Sequence, residues 1–352
     1  MIIFECESLR TPNTGYFSYT LSLSKALLAE SRKRAEKLGL YMPKGSLPLY
    51  EGLDKFPVKF WHNFDRKFMF LRPDVRLFHI SNQLTRFAPR SFRRPVLTTV
   101  HDMNCIHFTE NEGFYKYLYR LTEKAVKNAT RIVTISEAAK KDVCSCFDLD
   151  PDSVDMVYNG FDKYDGPITV PEKVPDGKFL LYLGRVDGSK NIHVLPSLLE
   201  GNDYKLVIVG RAERWDFETP RILEEARRWG VTDRVILTGA VSEPVKQWYL
   251  KNCEAFLFPS YAEGFGLPIV EAMQYGKPVF TSDRTALPEI GGDCAFYFNH
   301  DFEIRAMQEE LRKGLNTYLS GGLPPEKIIA RTALFSWEKA AKEYYDIYEK
   351  ML

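Results

Sequence analysis

At 352 residues the chain is long enough for two domains, and its composition, 45% hydrophobic and 27% charged with a formal net charge of +1, is that of an ordinary soluble globular protein. No apolar run approaches the roughly 18 residues of a membrane-spanning helix, no signal-peptide pattern opens the chain, and the six scattered cysteines complete no zinc site, so they read as buried or idle thiols of a reducing cytoplasm. The charge is unevenly spread: up to Gly160 there are 24 Lys and Arg against 18 Asp and Glu, and beyond it 24 against 29. A basic first half and an acidic second half point to two domains with different partners, the first meeting something anionic.

In chain order, short apolar strand-like runs alternate with amphipathic helix-like runs. The first half predicts strands over 2–5, 38–42, 76–80, 96–100, 131–135 and 155–158, with helices over 16–30, 114–128 and 137–144. Such an alternation argues α/β domains, each with a parallel sheet covered on both faces. Residues 163–177, rich in proline and glycine, read as a linker. The pattern then restarts, with strands over 179–183, 205–209, 234–237, 255–258, 278–281 and 295–298 and helices near 192–199, 220–229, 243–252 and 268–275. The expected organisation is therefore a first Rossmann-like domain over 1–162, the linker, a second Rossmann-like domain over 178–335, and a terminal helix over 336–352. Two such domains are expected to face each other across a cleft, a favoured place for a ligand.

The most informative run is EGFGLPIVE, from Glu263 to Glu271. It leaves a strand and opens a helix, so Glu263 sits on the loop at a strand's carboxyl end and Glu271 about one turn inside the helix. Ligands of open α/β sheets bind just beyond those strand ends. Gly264 and Gly266 let backbone approach a ligand, and the free N–H groups at the helix start suit an anion. The carboxylates would repel that anion, so they are better matched to hydroxyl donors, which suggests a ligand with sugar hydroxyls and phosphate together. A second loop, in LYLGRVDGSKNI (181–192), places Arg185 and Lys190 around a turn that opens a helix. Two cations there suit a diphosphate, whose leaving-group charge grows as its bond to a sugar breaks. The spacing is not that of a dinucleotide-binding glycine loop.

Two features of the first half have open roles. His101, followed by Asp102, stands at the end of the 96–100 strand and is either a hydrogen-bonding or acid/base group or a brace for its loop. Gly15, at the start of the first helix, either lets backbone amides meet a phosphate or an acceptor hydroxyl or simply makes a turn.

These segments, together with TISEAAKKDV (134–143), YNGFD (158–162), LVIVG (206–210), VILTGAVSEPVKQWY (235–249), FPSYAEGFGLPIVEAMQYGKPVFTS (258–282) and the terminal FSWEKAAKEYYDIY, resemble the retaining GT-B glycosyltransferases of the group 1 (family 4) type, most of all mannosyltransferases. The resemblance implies that Arg185 and Lys190 hold the donor diphosphate and that Glu271 bonds the ribose hydroxyls. It places Glu263 and His101 near the donor sugar and the amides of Phe265, Gly266 and Leu267 on sugar or phosphate. It also implies that the terminal helix packs back on the first domain, which binds the acceptor. The family often carries more glycines in its first loop than Gly15 alone.

The function expected is transfer of a hexose, GDP-mannose being the favoured donor, to a growing lipid-linked polysaccharide or glycolipid, with retention, no metal and no cofactor beyond the donor. The donor phosphate would take the acceptor's proton, and Arg185 and Lys190 would stabilise charge. Aromatic and basic residues interleave over 56–76 and along 114–127, as suits the anionic inner face of a cytoplasmic membrane. No nucleic-acid motif accompanies the charge. The rival readings are a nucleotide-sugar 2-epimerase and a non-catalytic binder of nucleotide-sugars.

Overall fold

The computed structural model describes residues 1–12, 14–53, 55–60, 73–85, 94–108, 112–212 and 217–352, which divide into two compact units. The first consists of Met1–Asp162 with Phe335–Leu352, the second of Lys163–Leu334. Most of the aromatic and basic run over 56–76, including Trp61, Phe64, Arg66, Lys67, Phe68, Phe70 and Arg72, lies outside the described residues.

In the first unit, strands β1 (Ile2–Glu5), β2 (Leu38–Met42), β3 (Val58–Phe60), β4 (Leu77–Ile80), β5 (Val96–Val100), β6 (Arg131–Thr134) and β7 (Val154–Met156) form one parallel sheet in the order β3-β2-β1-β4-β5-β6-β7. Every residue of β1, β2, β4 and β5 is buried, which is why these strands read as unbroken apolar runs rather than alternating ones. The edge strand β3 has three partly exposed residues and no comparable signal in the sequence. Helices α1 (Gly15–Ser31), α2 (Glu112–Asn128) and α3 (Glu137–Phe147) connect the strands. Thr14 and Ser136 cap α1 and α3, their hydroxyl oxygens accepting from Phe17 N–H at 3.1 Å and Ala139 N–H at 3.1 Å.

The second unit repeats the plan with β8 (Phe179–Leu183), β9 (Lys205–Val209), β10 (Val235–Gly239), β11 (Ala255–Phe258), β12 (Val279–Ser282) and β13 (Phe296–Phe298), all parallel, in the order β10-β9-β8-β11-β12-β13. Its helices are α4 (Glu218–Arg228), α5 (Glu243–Asn252), α6 (Leu267–Met273), α7 (Leu287–Gly291), α8 (Ile304–Leu319) and α9 (Pro325–Arg331). Ile192–Leu199, expected as an α-helix, is a 3₁₀ helix. Pro196 inside it lacks the N–H an α-helical ladder requires and disfavours the α conformation of the residue before it. The segment expected as a linker runs along the second unit, where Tyr164 N–H donates to Gln274 Oε1 at 3.1 Å and Thr169 N–H to the Pro244 carbonyl at 3.1 Å.

The last helix, α10 (Trp337–Met351), is capped by Ser336 and belongs to the first unit, packed on α1. Arg34, just past the end of α1, pairs with Asp346 and Glu349 on α10, both at 3.1 Å. Tyr344 and Tyr348 reach further in, their hydroxyls 2.9 Å from Tyr19 Oη and 2.6 Å from His79 Nδ1, and both rings are fully buried. Buried hydroxyls need such partners, so α10 closes the polar interior of the first unit as well as covering its apolar surface.

The strand order fixes where a ligand belongs. In each sheet the direction of winding reverses beside the first strand, between β1 and β4 and between β8 and β11. In open α/β sheets, ligands bind beyond the carboxyl ends of the strands at such switch points.

Candidate functional site

In the second unit, β8 ends at Leu183 and its loop carries Arg185, Asp187 and Lys190. Asp187 organises that loop: its Oδ1 accepts from Ser189 N–H at 2.9 Å and its Oδ2 from Arg185 Nε at 2.6 Å. Burial alone would raise the Asp187 pKa, but Arg185, Ser189 and Lys190 outweigh it and hold the carboxyl below its ordinary range. Tyr182, fully buried, donates its hydroxyl to the Arg185 carbonyl at 2.9 Å and fixes the start of the turn. Arg185 itself is 59% exposed.

The loop after the neighbouring strand β11 carries Glu263. Lys190 Nζ donates to Glu263 Oε1 at 2.7 Å, with the two side chains 15% and 14% exposed. Tyr261 N–H and the Ser260 hydroxyl both donate to the Ser189 carbonyl, at 3.0 and 3.3 Å, so the two loops are bound to each other beneath the ion pair. Thr285 Oγ1 accepts from Glu263 N–H at 2.9 Å. Glu263 is thus a partly buried, paired carboxylate at the switch point rather than a solvated helix-start acid.

Gly266 precedes α6 with φ +103°, and a Cβ there would sit 2.7 Å from Leu287 Cδ2, so only glycine fits this entry to the helix. Phe265 turns into the core, 4% exposed, which leaves its backbone for any ligand contact. Glu271 lies on α6, where Lys246 of α5 donates to its Oε1 at 3.1 Å and to Glu243 Oε1 at 2.8 Å. Burial pulls the Lys246 pKa down, but Glu271 and Glu243 outweigh it and raise it above its ordinary value. Arg185, Lys190, Glu263 and Glu271 therefore all belong to one unit, on segments that follow β8 and β11, each engaged in an ion pair with an opposite charge. Two partners were not singled out from the sequence. Asp187 was visible as an acid two residues after Arg185, whereas Lys246 gave no signal, because its neighbour in space is 25 residues away.

In the first unit, His101 follows β5 and is 5% exposed, held edge-on between the rings of Tyr16 and Tyr19 at 4.8 and 4.4 Å. Its Nε2 lies 2.8 Å from the Ser81 carbonyl, an acceptor only, so Nε2 carries the proton. Burial pushes its pKa down to about 4, with the Ser81 carbonyl opposing, so the ring is neutral at physiological pH and Nδ1 is an acceptor. This favours a hydrogen-bonding group over a proton donor. Asp102 next to it braces the loop, Oδ1 accepting from Asn104 N–H at 3.0 Å and Oδ2 from Tyr16 Oη at 3.4 Å. Gly15 is the first residue of α1, and a Cβ there would meet open space, so nothing in the described geometry requires glycine at that position.

Among the described residues, no group of three or more His, Cys, Asp and Glu stands together as a metal site, and no helix is long and apolar enough to cross a membrane.

Comparison with known proteins bears on the family and the fold. The family model "Glycosyl transferases group 1" matches residues 168–329, and "Glycosyltransferase Family 4" matches residues 23–163. The O-antigen chain mannosyltransferase B of Escherichia coli is 23% identical, with 99% of each chain covered. An uncharacterized glycosyltransferase of Methanocaldococcus jannaschii is 26% identical over 77% of this chain and 74% of its own length. Among solved structures, Anabaena HepE in complex with UDP and glucose shares the fold, with a TM-score of 0.75 at 19% identity and 99% of both chains covered.

Proposed function

Because the chain belongs to the glycosyltransferases of group 1 and family 4, we propose that it is a retaining, metal-independent hexosyltransferase that moves mannose from GDP-mannose to a lipid-linked polysaccharide or glycolipid acceptor. The observation that carries this reading is the Lys190–Glu263 pair at the β8/β11 switch point, with Arg185 and Glu271 on the same two strand-end segments. Cations match the two phosphates, and carboxylates match the hydroxyls of sugar and ribose.

Binding is an exchange of partners. The donor diphosphate takes Lys190 and Arg185 in place of Glu263 and Asp187, and Glu263 then accepts from a sugar hydroxyl. As the sugar–phosphate bond breaks, negative charge grows on the leaving diphosphate, and the two cations stabilise it where it develops. A donor phosphate oxygen takes the proton of the acceptor hydroxyl as that oxygen bonds to the same face of the sugar carbon. His101, neutral with Nδ1 as acceptor, holds a sugar hydroxyl and moves no proton.

The names of the relatives support mannose and a polysaccharide product. The HepE complex supports a nucleoside diphosphate with a hexose as the class of donor. A lipid-borne acceptor is supported by α2, where Phe114 is 50% and Tyr117 57% exposed beside the exposed cations Arg120 and Lys124. The test is thermal shift and hydrolysis with GDP-mannose, UDP-glucose, UDP-galactose and ADP-glucose, with and without EDTA, followed by NMR of the anomeric proton of the product. A shift for GDP-mannose alone and an unchanged anomeric configuration are expected. A UDP-specific response overturns the donor assignment, and inversion overturns the mechanism.

A further inference from the structure

Of the ion pairs described above for the second unit, Arg185–Asp187 and Lys190–Glu263 join residues already placed at the donor. The pair with Glu271 brings in Lys246, which the donor reading leaves without a role. Its side chain is 18% exposed and reaches from α5 to Glu271 on α6, spanning the outer Glu243, 51% exposed, and the inner Glu271, 27% exposed. A lysine serving only as helix-surface decoration is satisfied by its i−3 neighbour Glu243. The reach across to a second helix is the feature that needs a reason.

Beside this lysine, α5 is joined to the residues that follow α6 through Gln247, whose Oε1 accepts from Tyr275 Oη at 2.7 Å and from Gln274 Nε2 at 3.4 Å. Bonds within each segment hold these groups in place, Gln247 Nε2 donating to Glu243 Oε1 at 2.5 Å and Gln274 Nε2 to the Glu271 carbonyl at 3.0 Å. Gln247 is itself buried, 2% exposed. Lys246 therefore rises from a rigid base to one oxygen of a carboxylate on a facing helix. Groups that must meet a ligand in one geometry are held by neighbours of this kind.

We propose that Lys246 is a positioning residue for ribose recognition. By holding Glu271 Oε1, it keeps the carboxylate in the rotamer that accepts hydrogen bonds from the vicinal 2′- and 3′-hydroxyls of the donor nucleotide. This rests on the donor reading above. A glutamate side chain otherwise loses rotamer freedom when it binds, and the ion pair has already removed that freedom in the unliganded protein.

The test measures hydroxyl recognition directly. GDP and UDP, and their 2′,3′-dideoxy counterparts, are titrated calorimetrically into the full chain, and the ratio of dideoxy to ribose Kd is the hydroxyl preference. Lys246→Met is expected to lower that preference about tenfold, the size of coupling typical of contacting polar groups, and to leave dideoxy binding nearly unchanged. Lys246→Arg restores part of it, Glu243→Gln leaves it intact, and Glu271→Gln abolishes it. If Lys246→Met keeps the full preference while Glu271→Gln loses it, the positioning role is wrong and the donor reading stands. If Glu271→Gln also keeps the preference, or the intact chain has none, the assignment of Glu271 to ribose fails with it. Thermal unfolding without nucleotide accompanies each variant, and should Lys246→Met unfold, Lys246→Gln gives the same comparison. A uniform loss for ribose and dideoxy ligands alike marks Lys246 as merely structural and overturns the proposal.

Discussion

Lys190 Nζ and Glu263 Oε1 stand 2.7 Å apart although 73 residues separate them, because β8 and β11 are neighbours in the sheet and their exit loops meet at its switch point. In water such a pair contributes little, but both side chains are about six-sevenths buried, where the attraction is stronger and an unpaired partner is costly. Lys190→Ala is expected to lower kcat/KM by on the order of 100-fold or more, as loss of a preorganised charge stabiliser does. It also leaves Glu263 without its cation, so the double variant Lys190→Ala/Glu263→Gln should bind nucleoside diphosphate better than Lys190→Ala alone. A double-mutant cycle on nucleotide affinity measures this, and strictly additive losses count against the pair as a unit.

The members of this pair were visible in the sequence as residues, and their contact was not. Continuous apolar runs such as Val96–Val100 marked strands, since a buried parallel strand is apolar on both faces. The order of strands, which decides whose loops meet, has no local signal. Lys246 was hidden for the same reason, since its partner depends on the packing of α5 against α6. His101 stood out by its place at a strand exit, yet its tautomer depends on the Ser81 carbonyl of β4's exit and on rings from α1, which no reading of neighbours along the chain supplies.

Gly210 makes the donor loop sensitive to a single methyl group. A Cβ on Gly210 would lie 1.7 Å from the Gly184 carbonyl oxygen, and that carbonyl begins the turn to Arg185 and Lys190. Backbone cannot give way as a side chain end can, so Gly210→Ala must push the β8 and β9 exits apart. A loss of roughly 1–3 kcal/mol is expected from overpacking, together with weaker nucleotide binding. Thermal denaturation and calorimetry check both, and an unchanged affinity shows that the loop does not depend on this approach.

His101 should add no ionisation to the pH–rate profile between about pH 5 and 8, because burial holds its pKa near 4. The sign for stability follows from that depression. The unfolded chain takes up the proton first, near 6.5, so the contribution is fully present above that pH and is lost as pH falls towards 4. His79, pushed to about 3 by burial and the nearby His101, adds in the same direction. NMR of the imidazole carbon-bound protons reads both titrations, and a midpoint near 6.5 for His101 removes the argument for a neutral acceptor.

Glu5 acts in the opposite sense. It ends β1 at the other switch point, 1% exposed, with Oε2 accepting from the Ser81 hydroxyl at 3.0 Å and Oε1 accepting from Glu7 N–H. Burial, and next the charge of Glu7, push its pKa from 4.5 up to about 8, against the pull of those hydrogen bonds. A raised folded pKa means that the folded state holds the proton longer than the unfolded one. The stability drawn from this group is therefore fully present below about pH 4.5 and is lost as pH rises to about 8. Glu5→Gln keeps the shape and removes the ionisation, so it should gain on the parent chain with rising pH, by on the order of a few kcal/mol at pH 8. The check is the difference in denaturation free energy between the two chains at pH 5 and pH 8. A difference that is the same at both pH values would mean that Glu5 is ionised in the folded protein throughout, with its charge balanced by the hydrogen bonds at the end of β1.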